Sequence, residues 1–244
     1  FGQVSSVITQ ADNFGELKRI NDFVNVTINA RLARDLQVGA GVDTGRSVND
    51  ACFNVDSPGA VATSLPGNLV GGGAGILSTP TPFTQTTIDG KRLCRGVTPF
   101  GGQTQVKAFA TYPLPWNFIV SAVFQNISGP TITANYAATN AQIAPSLGRD
   151  LAACRGAAAC SATAVVPLVV PQTMFDDRLT RLDLRFGKRI ALSQRMRLQA
   201  NVNIYNVFNG SASSTLNQNY GPLWQQPSLL QDGRMVQFSA TMNF

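Results

Sequence analysis

The chain has 244 residues, of which 44% are hydrophobic and only 13% are charged, and it carries a formal net charge of +6. A charged fraction about half that of ordinary soluble domains argues against water as the only solvent. A membrane-spanning helix is excluded as well, because the long uncharged run over residues 108–148 is interrupted by four prolines and contains several asparagines and glutamines.

The first predicted element is a β-hairpin near the start of the chain. Apolar and polar residues alternate in FVNVTINARL (23–32), and they alternate again in LQVGAGVD (36–43). This two-residue period is typical of strands with one apolar face. Only Ala33, Arg34 and Asp35 separate the two segments, so we expect them to pair as neighbouring antiparallel strands.

A second hairpin of the same design follows. Residues 106–112 alternate, lead into a turn at 113–116, and alternate again over 118–124. We therefore expect a second pair of antiparallel strands with a minimal connection.

The third hairpin combines RLTRLDLRFGKRI (178–190) with RMRLQANVNI (195–204), with a turn at 190–194. The spacing in its first segment would also suit one face of a helix. Gly187 and the strictly alternating partner segment favour a strand.

The last nine residues, VQFSATMNF (236–244), alternate up to the final phenylalanine. Because the ends of soluble domains usually fray in water, this pattern predicts a strand that is covered along its whole length. The chain starts at Phe1 without an initiator methionine or a signal sequence, so we expect any export signal to lie upstream. Whether the chain is a mature product or a fragment stays open.

Four cysteines and the absence of histidine bear on the cellular compartment. Cys52, Cys94, Cys154 and Cys160 all occur in loop-like segments, and an even count there predicts two disulfides formed in an oxidising, exported environment. Three pairings are possible, and we favour Cys52 with Cys94 and Cys154 with Cys160. The spacings do not suit a thiolate metal site, so no metal and no cofactor are predicted.

The connections between hairpins differ from the turns within them. Residues 49–101, 130–177 and 209–232 are long and rich in small and polar residues, whereas the turns are minimal. Strands of about ten residues with one apolar face, short turns at one end and long loops at the other are the pattern of an antiparallel transmembrane β-barrel. We therefore predict an all-β barrel segment of about seven or eight strands, with short periplasmic turns and long extracellular loops.

The polar face of these strands supplies the candidate site residues. On the strand interpretation they face the lumen, where they would line the path or contact a plug. The lumen-lining candidates are Arg31, Lys107, Arg181, Asp183, Arg185, Arg195, Arg197, Asn201 and Asn203. Tyr220 and Trp224 are the loop candidates for ligand contact, because their rings offer stacking surfaces.

The same inward charges predict that the sheet does not close on itself. An eight-stranded barrel has an interior just wide enough for side chains. Six basic residues would share it with few acids, chiefly Asp43 and Asp183, and unpaired buried charge is costly. We expect an open antiparallel sheet whose last strand, 234–244, lacks a neighbour, as in one part of a wider barrel.

Several segments of the chain resemble a known family of membrane proteins. YNVFN (205–209), followed by a polar loop and a terminal strand, resembles the closing segment of TonB-dependent outer-membrane receptors. The segments that resemble the acidobacterial type of these receptors, which carries an N-terminal carboxypeptidase-regulatory-like domain, are FVNVTINARLARDLQVGAGVDTGRS, SGPTITANY, APSLGRDL, RLDLRFGKR and LWQQPSLLQDGRMVQFSATMNF. The likeness extends from about residue 14 to residue 244 and is weakest over 58–82.

The resemblance implies a location, a function and partners. The location is the bacterial outer membrane, and residues 1–244 would be the C-terminal part of one barrel domain whose plug and N-terminal domains are absent. The function is energy-coupled uptake of an unidentified substrate. The implied partners are outer-membrane lipid, the rest of the barrel and its plug, and an inner-membrane energy-coupling protein reached through the missing N-terminal part. The alternatives are a self-contained small barrel that acts as an anchor or adhesin, and a passive porin.

Two other classes of function are disfavoured. Basic residues are concentrated over 178–197, but on the strand interpretation several of them face the lumen, so nucleic-acid binding is not predicted. Histidine is absent, no nucleophile elbow occurs, and the acids form no obvious catalytic pair, so we do not expect an enzyme.

Overall fold

The computed structural model describes residues 10–13, 18–50, 52, 87–88, 91–92, 95–193 and 195–244. Within these ranges the chain is mostly antiparallel β-sheet, as predicted. The strands are β1 (Lys18–Arg31), β2 (Gln37–Asp50), β3 (Thr87–Ile88), β4 (Lys91–Arg92), β5 (Arg95–Thr98), β6 (Gln105–Leu114), β7 (Phe118–Ile127), β8 (Asn135–Thr139), β9 (Thr163–Pro167), β10 (Leu179–Ala191), β11 (Arg197–Tyr205), β12 (Ser213–Leu216), β13 (Pro227–Leu230) and β14 (Met235–Asn243). The helices are α1 (Asn140–Leu147) and the 3-10 turns Ala11–Asn13, Ala33–Asp35, Phe100–Gly102, Pro115–Asn117 and Ala152–Cys154.

Seven long strands form one sheet in the order β1-β2-β6-β7-β10-β11-β14, and short β5 adds to β2. Every pair of neighbours is antiparallel. The segment that would also have suited a helix is strand β10, which confirms the β interpretation. Within the described residues β1 and β14 each have a partner on one side only, so the sheet is open, as predicted. The predicted count of seven or eight strands included a possible partial strand within residues 1–10, and residues 1–9 lie outside the described residues.

All three tight turns lie at the same end of the sheet. In the first, Arg34 and Asp35 both adopt left-handed backbone conformations with φ of 60° and 58°. Trp116 and Asn117 do the same in the second turn, with φ of 60° and 61°. Two consecutive residues of this kind give a turn whose twist matches that of the flanking strands.

Two predicted turn positions were wrong by about two residues. The second turn is Pro115–Asn117 rather than 113–116, because Pro113 and Leu114 still pair with Ile119 and Phe118. A proline that begins the turn supplies the backbone angle that the turn needs.

The third turn spans 192–196 rather than 190–194. The amides of Leu192 and Ser193 both donate to the carbonyl of Met196, so the β10–β11 ladder ends at Ala191. As a result Arg195 lies in the turn and not on the polar face of a strand, which corrects its assignment as a lumen-lining candidate.

Register places the apolar residues of neighbouring strands in rows on one face and the polar residues in rows on the other. One apolar row is Phe186, Val202 and Phe238, and the polar row beside it contains Asn203 and Gln237. Where β11 pairs with β14, the exposure of the two faces is the reverse of that in a soluble sheet. Phe238 is 76% exposed, whereas Asn203 is only 4% exposed.

The long connections gather at the other end of the sheet. We call residues 95–104, 128–178 and 206–234 the loop assembly. Its regular parts, which were not predicted, are β8 paired with β9, helix α1, and β12 paired with β13. None of the helices in the described part of the chain combines the length and the hydropathy that a membrane-spanning helix needs.

The loop assembly has a small apolar core and its own backbone ties. Its buried apolar residues are Ile132, Ala134, Ala138, Cys154, Val170 and Leu216. The amide of Asn135 donates to the carbonyl of Gln218 at 2.9 Å, and the amide of Tyr220 donates to the carbonyl of Asn135 at 2.9 Å. The second and third connections therefore form one packed unit rather than two separate loops.

The predicted disulfide between Cys154 and Cys160 is confirmed, with a Cα–Cα distance of 5.2 Å. It closes the short loop that follows Ala152–Cys154. Cys52 is also disulfide-bonded, and Cys94, its predicted partner, lies outside the described residues.

Candidate functional site

The structure brings eight of the nine lumen-lining candidates onto one face of the sheet, and only Arg195 is elsewhere. Their shared position follows from register, because each has an odd residue number, and residues with odd numbers lie opposite one another in every pair of neighbouring long strands. The eight residues are Arg31, Lys107, Arg181, Asp183, Arg185, Arg197, Asn201 and Asn203.

One cluster joins this polar face to the loop assembly. The Arg181 Nε donates to both carboxylate oxygens of Asp183, at 2.8 and 3.0 Å, and its guanidinium lies 5.9 Å from the centre of the Tyr205 ring. Asp183 Oδ1 also accepts the backbone N–H of Asn206 at 2.8 Å. The carboxylate thus holds the end of β11 in place while it neutralises the arginine.

Asn206 is the most buried large side chain of the described residues, at 1% exposed. Its amide nitrogen donates to the carbonyls of Gly210 (2.9 Å) and Asp232 (2.7 Å), and its amide oxygen accepts the N–H of Gly210 (3.1 Å). Its φ of 50° is left-handed, a conformation that asparagine tolerates better than most residues. Asn206 therefore fastens both ends of the third connection.

A second network runs across β10, β11 and β14. Arg185 Nε donates to Asn203 Oδ1 at 2.6 Å, and Asn203 Nδ2 donates to Gln237 Oε1 at 3.3 Å. The Tyr205 hydroxyl donates to the same Gln237 oxygen at 3.0 Å. The buried amides of the polar face are hydrogen-bonded to one another, which offsets the cost of removing them from water.

Gly187 makes room for Asn201 in this network. An added Cβ at Gly187 would lie 2.8 Å from Asn201 Oδ1, which accepts a hydrogen bond from Gln199 at 3.0 Å. The glycine that argued against a helix thus has a second role, because it lets the Asn201 side chain lie flat on the sheet.

Positive charge dominates the polar face. Along the seven long strands this face carries seven basic residues and two acids. The basic residues are Arg19, Arg31, Lys107, Arg181, Arg185, Arg189 and Arg197, and the acids are Asp43 and Asp183. Asp183 is already paired with Arg181, so the remaining face is cationic and suits a watered channel or an acidic partner better than a dry core.

A groove on the polar face contains Lys107. Polar side chains from four strands line it together with the aromatic ring of Phe109. The ring lies over Gly39, where any Cβ would collide with it. Sequence reasoning missed Phe109 because it counted only polar residues on this face; a glycine opposite an aromatic residue was the available signal.

The two predicted loop candidates come together in the loop assembly. Tyr220 is half exposed and lies between Tyr136 and Trp224, with ring centres 6.3 and 5.6 Å away. The Trp224 indole N–H donates to the Thr133 carbonyl at 2.8 Å, so this polar group has a structural role and the ring face is what a ligand would contact. Tyr136 is a third member that the sequence did not indicate.

Within the described residues no group of three or more His, Cys, Asp or Glu side chains is placed to hold a metal ion. Comparison of the chain with protein-family models, curated proteins and solved structures found no match in any of the three.

Proposed function

We propose that this chain is the C-terminal part of the barrel of a TonB-dependent outer-membrane receptor, which takes up a substrate by energy-coupled transport. Residues 1–244 would belong to one barrel domain, and the plug and N-terminal domains would be supplied by the rest of the protein. The chain would lie in the bacterial outer membrane, and the inner-membrane energy-coupling protein would be reached through the N-terminal part.

The observation that carries this proposal is the reversed burial of the main sheet. Ile28 is 65% exposed and Phe238 is 76% exposed, whereas Asn203 on the opposite face is 4% exposed. In water such a sheet would leave a large apolar surface uncovered, which soluble monomers rarely do. Lipid outside and a watered lumen inside would satisfy both faces.

The open edges favour a part of a wide barrel over a small closed one. Strands β1 and β14 have no second partner among the described residues, and in lipid their free backbone groups would need one. A narrow closed barrel would also crowd the cationic polar face. The self-contained anchor or adhesin, and the passive porin, are the alternatives that the experiments below must separate from the receptor.

We assign separate roles to the loop assembly and to the polar face from their positions in the fold. The loop assembly would capture substrate at the long-loop end, where Tyr220 and Trp224 offer ring faces. The polar face, with Lys107 and Arg185, would line the path or contact the plug. Substrate identity is not part of the proposal.

Two experiments test it. The upstream gene sequence should encode a plug and an energy-coupling box; a signal peptide directly before Phe1 would instead support the small barrel. Fractionation of cells that produce the natural full-length protein should place it in the outer membrane, resistant to urea extraction. Recovery in a soluble fraction would contradict the proposal.

A further inference from the structure

The apolar face of the main sheet has a band of outward positions that, among the described residues, contains one charged side chain, and this side chain lies near the tight-turn end. The band comprises the outward positions of the seven long strands. One of its limits is the row that contains Val26, and the other is the row that contains Met242. Among the described residues of this band Lys188 is the only charged one, and its neighbours across the strands are Phe118 and Ala200. A lone cation on a face of this kind requires a physical explanation.

Lys188 is held in a defined position near the tight-turn end. Its ammonium lies 4.1 Å from the centre of the Phe118 ring and donates a hydrogen bond to the Trp116 carbonyl. The described residues provide no carboxylate within ion-pair distance of it. An ammonium has three protons, so the carbonyl and the ring leave capacity for an anion.

A groove begins beside this ammonium. Ala200 and Ala240 stand next to Lys188 along one row, while the adjoining row contains the bulky Phe186 and Phe238. The short side chains between large ones leave an open trough with mostly apolar walls. The mostly apolar walls of this trough suit a hydrocarbon chain.

We propose that this groove is a binding site for an anionic phospholipid, with the headgroup phosphate on Lys188 and one acyl chain in the trough over Ala200 and Ala240. This inference rests on the proposed membrane location. Charge complementarity selects the occupant, because the ammonium matches the net negative phosphodiester of an anionic phospholipid and the apolar trough matches one of its two acyl chains. A protein partner would leave the ammonium without a counter-charge unless it brought its own acid.

The position along the strands fits the same occupant. Lys188 is three residues from the end of β10, and the exposed Trp116 marks the tight-turn end beside it. Lysine stems lie along apolar surface while the ammonium reaches the headgroup layer, and tryptophan prefers the same depth. The phosphate would therefore meet Lys188 at the membrane boundary while the acyl chain lies in the trough across β11 and β14.

The test uses the natural full-length protein in nanodiscs of phosphatidylcholine with a minor fraction of phosphatidylglycerol. Lipid retained after mild detergent extraction is measured by native mass spectrometry. The wild type should retain phosphatidylglycerol in preference to phosphatidylcholine. Lys188→Gln should reduce that preference about fivefold, the amount expected for one basic residue at a lipid surface, whereas Lys188→Arg should keep most of it.

Two further variants separate the parts of the site. Arg189→Gln removes a neighbouring charge at the same depth on the opposite face and should leave retention unchanged. Ala200→Leu should fill the trough and lower retention although Lys188 remains. An unchanged preference in Lys188→Gln, or an equal loss in Arg189→Gln, would overturn the lipid site.

The same measurements distinguish a failure of the lipid site from a failure of the proposed membrane location. If the wild type enters nanodiscs but shows no preference for phosphatidylglycerol, the lipid site is wrong and the membrane proposal stands. If the wild type does not enter nanodiscs, both are wrong.

Discussion

The main sheet and the loop assembly of this chain are built on opposite burial patterns. In the loop assembly Ala134 is 1% exposed and Leu216 is also buried, as in a water-soluble domain. In the main sheet Phe238 on the outward face is 76% exposed, whereas Asn201 and Asn203 on the polar face of β11 are buried. Under the proposed function, this difference corresponds to two surroundings: water around the loop assembly, and lipid around the outward face of the sheet.

Hydrogen bonding shows the same contrast. In the sheet the side-chain networks lie on the polar face, from Arg185 through Asn203 to Gln237. In the loop assembly the ties join distant connections, as in the Trp224 bond to Thr133. Asp183 and Asn206 join the two regions. Substitutions in the two regions should therefore differ in their effects on the free energy of unfolding and on amide hydrogen exchange.

The largest expected effect comes from placing a charge on the apolar face. Val202→Arg in the full-length protein should cost about 2–4 kcal/mol of folding free energy in lipid, because the guanidinium would face hydrocarbon near the middle of the band. The measurement is urea unfolding in phospholipid vesicles. Ser239→Arg is the matched control: it lies at a similar depth on the polar face, and should cost less than about 1 kcal/mol. Equal costs would remove the distinction between the two faces.

Removing the junction between the regions should come next. Asn206→Ala removes the buried amide that donates to the carbonyls of Gly210 and Asp232, and it places alanine at a positive φ, so we expect a loss of about 2–3 kcal/mol. Asn206→Gly keeps the conformation but not the amide, and should recover about 1 kcal/mol of that loss. Hydrogen exchange should rise over residues 206–234 before it rises in β10. If exchange increased uniformly, Asn206 would not be a local junction.

The smallest expected effect comes from removing a single hydrogen bond inside the loop assembly. Trp224→Phe retains a ring but removes the indole N–H that Thr133 accepts, and should weaken the assembly by about 1 kcal/mol without changing the sheet. Faster amide exchange at residues 132–136 would be the readout. Leu223→Ala, at an exposed neighbouring side chain, serves as the control and should leave that exchange as it is. A reduced melting temperature of the whole protein would indicate that the two regions are not separable.

Much of the sheet was predictable because strand periodicity is local. A two-residue alternation records which side chains face which medium, and it needs no knowledge of distant residues. It identified three hairpins and the terminal strand, and it placed eight of nine polar candidates on one face. The turn limits were less accurate, since they depend on backbone hydrogen bonds such as those to the Met196 carbonyl. Cys154 and Cys160 were paired correctly because only five residues separate them.

The loop assembly could not be predicted in the same way. Thr133 and Trp224 are 91 residues apart, and no period links them. Tyr136, Phe109 and Asn206 were missed because their roles depend on what tertiary packing brings beside them. The sequence alone determined the strands, the apolar and polar faces and the tight-turn end, since each follows from neighbouring residues. Only the tertiary structure decided which loops meet, which amides are buried and where Lys188 finds its ring and carbonyl, because those contacts join segments whose spacing carries no pattern.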